Sequence, residues 1–202
     1  MSNVLDYFNN DKYKYYLHGT GRCGNKGTVP SIFQNGLIAY VSNSENGGYD
    51  LTGTAKVAPS NPEELMELLN NYTHLESETI VVLALPKEYI FDANDPYLGN
   101  IKEGAYFEYR SFCLNEEEKE VCEINGIEYP NRLVLMPEFV VGAYNADEGT
   151  FVENEGFFGF QDESIQEEII SRVRYNYNQL QQTFGSESEQ METNSIFGED
   201  WD

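Results

Sequence analysis

Positive charge is what this sequence has least of. Only 12 Lys and Arg stand against 35 Asp and Glu, for a formal net charge of −23. The acids recur in runs such as Glu116-Glu117-Glu118 and Glu167-Glu168, while the bases are scattered and form no patch. Such a surface repels phosphate backbones, so direct binding of DNA or RNA is not expected. Cysteine is scarce as well. Cys23, Cys113 and Cys122 are odd in number and none stands in a Cys-x-x-Cys pair. That argues against a disulfide framework or a zinc site and for a reducing, cytoplasmic compartment. No apolar run approaches the ~18 residues that span a bilayer. The N-terminus lacks a basic stretch followed by an apolar one. Neither a membrane segment nor a signal peptide is expected, and no metal.

Aromatic residues are plentiful by contrast. With 15 Tyr and 12 Phe they make up, with Trp, 14 % of the chain, which argues for a packed core. A length of 202 residues suits one domain of ordinary size. That domain is expected over 1–184. From Gly185 the chain turns to Ser, Glu, Gln and Asn, with Ile196, Phe197 and Trp201 as interruptions. This composition predicts an acidic, disordered tail over 185–202.

Along the domain, Val4, Leu5, Tyr7 and Phe8 suit one helical turn. An apolar-aromatic strand through Tyr15-Tyr16-Leu17 follows, then a short helix Ser31–Asn35 closed by Gly36, which can take the left-handed conformation that ends a helix. Ser42–Gly48 is polar and glycine-rich, so it reads as a surface loop. Ser60 and Asn61 both suit a helix cap before Pro62, and Leu65, Leu68, Leu69 and Tyr72 share one face. Thr79–Leu85 is continuously apolar and β-branched, the pattern of a central strand stopped by Pro86. An edge strand is expected over Tyr106–Leu114, and further strands over Arg132–Leu135, Phe139–Tyr144 and Thr150–Val152. After Asp162, Ile165, Ile169, Ile170, Val173, Tyr177 and Leu180 recur at helical spacing, the stripe of a helix docked on a sheet. The sum is an α+β fold, a mostly antiparallel sheet with peripheral helices.

Two short stretches carry chemistry. The first is Leu17-His18-Gly19-Thr20, a strand running into a glycine-bounded turn and bearing one of only two histidines. The second is Ile32-Phe33-Gln34-Asn35-Gly36-Leu37. Later come Glu128-Tyr129 and then Pro137-Glu138-Phe139-Val140-Val141. This order resembles the ADP-ribosyltransferase superfamily, in its histidine-first branch of poly(ADP-ribose) polymerases and bacterial toxins. The resemblance covers roughly residues 13–145 in order and implies a split sheet, with NAD as co-substrate. It implies that His18 bonds a ribose hydroxyl, that Gly19 backbone groups meet the nicotinamide carboxamide and that Thr20 supports the ribose. The catalytic glutamate it implies is Glu128 as first choice and Glu138 as second. A carboxylate there stabilises the positive charge that builds on the ribose as nicotinamide leaves, and helps deprotonate the attacking nucleophile.

The chain departs from the family at its middle position, a strand tyrosine that stacks on nicotinamide. Leu51–Val57 has no aromatic there; Tyr49, just before it, and Tyr40, further back, are the substitutes. The second histidine, His74, closes a predicted helix, where the dipole alone favours it. The function expected is that of a mono-ADP-ribosyltransferase-like protein acting on a protein or small-molecule acceptor, of the kind used in host conflict. The alternative is a non-catalytic acidic protein that occupies a basic partner on a degenerate transferase fold. A third option, hydrolysis with Cys23 as nucleophile near His18, lacks a flanking signature.

Overall fold

The computed structural model describes residues 4–20, 29–38, 55–74, 79–89, 104–111 and 131–196. Among the described residues, eight strands form two sheets in which every pairing is antiparallel. They are β1 (Tyr13–Thr20), β2 (Leu37–Ile38), β3 (Lys56–Val57), β4 (Thr79–Pro86), β5 (Phe107–Ser111), β6 (Asn131–Leu135), β7 (Val140–Asn145) and β8 (Thr150–Glu153). The larger sheet has the order β3-β1-β4-β7-β8 and the smaller the order β2-β6-β5. Helices α1 (Val29–Asn35), α2 (Pro62–His74) and α3 (Glu163–Ile196) complete an α+β architecture.

β4 is central because all of its residues are apolar enough to be covered on both faces. Every one from Thr79 to Pro86 is buried. It pairs with the whole of β1, from Tyr13↔Pro86 to Thr20↔Thr79, and with β7 on its other side. Between Val82↔Gly142 and Leu83↔Val140 the β4–β7 register slips by one residue, leaving a bulge at Val141. Asn154 serves the backbone there. Its side-chain NH₂ donates to Pro137 O and Val140 O at 3.0 and 2.9 Å, and its own N–H donates to Val141 O at 2.9 Å. This amide is buried and its oxygen accepts from Gly156 N–H, so its polar groups are matched.

The helix ends follow their local chemistry. Asn61, not Ser60, caps α2: its Oδ1 accepts from the N–H of Glu63 at 2.8 Å, and Leu65 and Leu69 turn into the core. Gly36 closes α1 with φ +85° and donates its N–H to Ile32 O at 2.8 Å. Asp162 caps α3, accepting from Ser164 Oγ and Ile165 N–H, and the Ser164 bond first, then Ile165, hold its carboxyl below the usual range. Of the expected apolar stripe, Ile169, Ile170 and Val173 are buried, whereas Ile165, in the first turn, is 42 % exposed. α3 continues to Ile196, through the Gly185 boundary where composition predicts an unstructured tail. Glu and Gln, frequent beyond that glycine, are good helix formers.

The polar side of α3 fastens the smaller sheet. Arg172 Nε and Nη2 donate to the two oxygens of Glu108 on β5, both at 2.9 Å, and Nη1 donates to Glu138 at 2.7 Å. One turn on, Asn176 Nδ2 donates to Ala105 O and Phe107 O at 3.2 and 2.9 Å. At the other sheet edge the Tyr7 hydroxyl donates to Glu153, and the Tyr7 ring stacks on Phe151 of β8 at 4.2 Å. Among the described residues no helix is long and apolar enough to cross a membrane.

Candidate functional site

His18 lies near the C-terminal end of β1, opposite Val81 of β4, and is half-buried. Side chains alternate across a strand, so Tyr16, His18 and Thr20 share one face and Tyr15, Leu17 and Gly19 the other. Thr20 is buried at 3 % exposure, and its hydroxyl donates to Thr79 O at 2.9 Å. That bond commits its proton to the sheet and leaves the oxygen able only to accept.

The backbone of Gly19 is placed differently. Ala58 N–H donates to Tyr15 O, while Lys87 N–H donates to Lys12 O. Carbonyls of odd-numbered residues in β1 therefore face the β3 side, and those of even-numbered residues face β4. On the β3 side the described pairing covers only Tyr16↔Val57 and Leu17↔Lys56. Gly19, two residues further on, aims its N–H and C=O past the end of that pairing. Next to the His18 side chain, the N–H and C=O of Gly19 thus point toward the β3 side, beyond the described pairing.

Glu138 is far from this edge. It sits in a 3-10 turn, Pro137–Phe139, between β6 and β7. His18 is in register with Val81 and through it with Ala143 of β7. Glu138 precedes Ala143 by five residues and lies toward the Tyr13–Pro86 end, on the order of 15 Å along the strand. The bond to Arg172 occupies it as a clamp between α3 and the two sheets. His18 and Glu138 are not brought together. Glu128 and Tyr49 lie outside the described residues, as do Tyr40, Cys23, Cys113 and Cys122.

The second motif is joined to the strand that follows Glu128. Ile32 and Leu37 are both in the core, and β2 pairs with β6 through Leu37↔Leu135 and Ile38↔Val134. Gly36 permits this, because a Cβ there would meet Leu135 O at 2.0 Å. α1 packs on β7 and on the Pro137–Phe139 turn. The His18 strand and the strand after Glu128 thus belong to different sheets of one core.

His74 is the last residue of α2. Among the described residues no three His, Cys, Asp or Glu side chains are grouped to hold a metal ion. Residue patterns alone do not reveal Arg172, Glu108 and Asn154, since each is defined by a partner distant in sequence. No protein-family model matches the chain, nor does any curated protein or solved structure.

Proposed function

We propose that the chain binds NAD at the His18 end of β1 and transfers ADP-ribose to a protein or small-molecule acceptor, on an ADP-ribosyltransferase-like split-sheet fold. The observation that carries this reading is Gly19, whose N–H and C=O point beyond the described β1–β3 pairing, beside the half-buried His18. A carboxamide is a planar group with one acceptor and two donors, and a strand N–H and C=O that point away from the β4 ladder side by side suit it. His18 supplies a neutral hydrogen bond to the adjacent ribose. The division into two sheets, with β2 paired to the strand after Glu128, supports the same reading.

In this mechanism the bond between nicotinamide and the ribose breaks with its electrons leaving on nicotinamide. The ribose becomes cationic, and Glu128 holds its 2′-hydroxyl and offsets that charge. An acceptor nucleophile then attacks the same carbon and gives up its proton to the Glu128 carboxylate. Glu138 is assigned no part, because Arg172 holds it away from His18.

The test is incubation with NAD labelled in the adenylate half, with nicotinamide release and transfer of label both measured. Turnover is expected, with His18→Ala and Glu128→Gln each lowering it at least a hundredfold while the circular dichroism spectrum is unchanged. Absence of nicotinamide release, of labelled product and of NAD binding by calorimetry would overturn the proposal. The net charge of −23 favours a second reading, an acidic protein that occupies a basic partner. Under that reading His18→Ala has no effect, and neutralising acidic clusters abolishes partner binding.

A further inference from the structure

A separate depression lies at the other end of β1, on the face opposite His18. It is a cleft of about 300 Å³ lined by Phe8, Tyr13, Tyr15, Pro59, Leu65 and Lys87 among others. The Phe8 and Tyr15 rings are tilted at 5.1 Å, and the Tyr13 and Tyr15 rings at 6.1 Å. Together they make an aromatic wall. Burial pushes the Tyr15 phenol up to about 12 and raises that of Tyr13, so both hydroxyls stay neutral donors.

Two polar groups there are under-used. The Tyr15 hydroxyl reaches only Asn10 O, at 3.5 Å, which is the outer limit of a hydrogen bond. The ammonium of Lys87 has no ion-pair or hydrogen-bond partner among the described residues. Lys87 is exposed, so its hydrated ammonium is accessible to an anion in the cleft. Its backbone is fixed by the 2.7 Å bond to Lys12 O. Lys14 also borders the cleft, with its ammonium 4.9 Å above the Tyr16 ring, and Asp11 adds one carboxylate to the lining.

We propose that this cleft binds a small planar aromatic anion, its ring against Tyr15 and Phe8 and its acidic group on the Lys87 ammonium, with the Tyr15 hydroxyl donating to the same group. Aromatic faces supply the stacking surface, and the free ammonium selects for negative charge. The site is independent of the NAD reading: it uses other residues, on the other face of β1.

The test is calorimetric titration of the full chain with adenosine 5′-monophosphate, a ring with a phosphate, and with benzoate, a ring with a carboxylate. At least one binds, and Lys87→Ala weakens it about three- to fivefold, as loss of one exposed charge pair implies. Tyr15→Phe, which removes only the hydroxyl, weakens it as well. Binding of the first probe alone assigns a phosphate ligand, and of the second alone a carboxylate. Adenosine monophosphate is also a fragment of NAD, so the titration is repeated with His18→Ala. Unchanged affinity assigns binding to the cleft. Loss of binding with His18→Ala, no binding of either probe, or binding indifferent to Lys87→Ala overturns the proposal.

Discussion

At Gly36 the backbone takes φ +85° and carries the chain from α1 into β2. An added Cβ would lie 2.0 Å from Leu135 O and 2.8 Å from Val134 Cγ1, both on β6. Neither atom has room to retreat, since Val134 and Leu135 are fully buried. Gly36→Ala therefore combines a left-handed φ with a backbone clash, and is expected to destabilise the protein by roughly 2–4 kcal/mol. A urea-unfolding midpoint unchanged from wild type would refute this account of the β2–β6 junction. The glycine is legible in the sequence because its two causes are local, an apolar helix before it and Leu37 after it. Asn154 is the opposite case. It is needed by the carbonyls of Pro137, Val140 and Val141, freed by a turn and a bulge more than a dozen residues away. No local pattern marks such a buried amide.

Among the elements, the bond between α3 and the smaller sheet hangs on Arg172. Burial works to lower its pKa, but the hydrogen bonds it donates to Glu108 and then Glu138 outweigh that and hold it above the ordinary value. A raised folded pKa means the stabilisation is present below the unfolded pKa and lost only as pH rises beyond it, so the clamp is cationic at every working pH. Arg172→Met takes the shared guanidinium from two carboxylates, each about one-fifth exposed. Destabilisation of about 1–3 kcal/mol is expected, measured by chemical denaturation. Adding Glu138→Gln to that variant should recover part of the loss. If the double variant is no more stable than Arg172→Met, the carboxylates do not repel and the clamp is misread. Elements of this kind divide cleanly in what sequence can reveal. β4, β7, the edge strand β5 and the α2 cap are legible because burial and alternation are written into consecutive residues. The fork of Arg172 is not, because Glu108 and Glu138 are 64 and 34 positions away from it. The candidate site shares this division: His18 and Gly19 stand out as a histidine beside a glycine on an apolar strand, which runs on through both to Thr20, while the separation of Glu138 from them follows only from strand register.

For the molecule as a whole, a net charge of −23 on 202 residues must oppose folding, because compaction brings like charges together. The repulsion is long-ranged in dilute buffer, where the screening length is about 30 Å at 0.01 M salt, and short at 0.15 M, where it is about 8 Å. The pairs of Arg172 with Glu108 and Glu138 are partly buried, so salt weakens them little. Net repulsion should therefore dominate the response. Raising sodium chloride from 0.01 to 0.15 M is expected to raise the melting temperature, on the order of 5 °C for a chain of this size. Association with a basic partner would respond in the opposite sense, since the same screening weakens attraction between unlike charges. Thermal melts and partner titrations over one salt series thus separate the two consequences of this surface. A melting temperature that falls with salt would mean that local ion pairs, rather than the uniform excess of acids, govern stability.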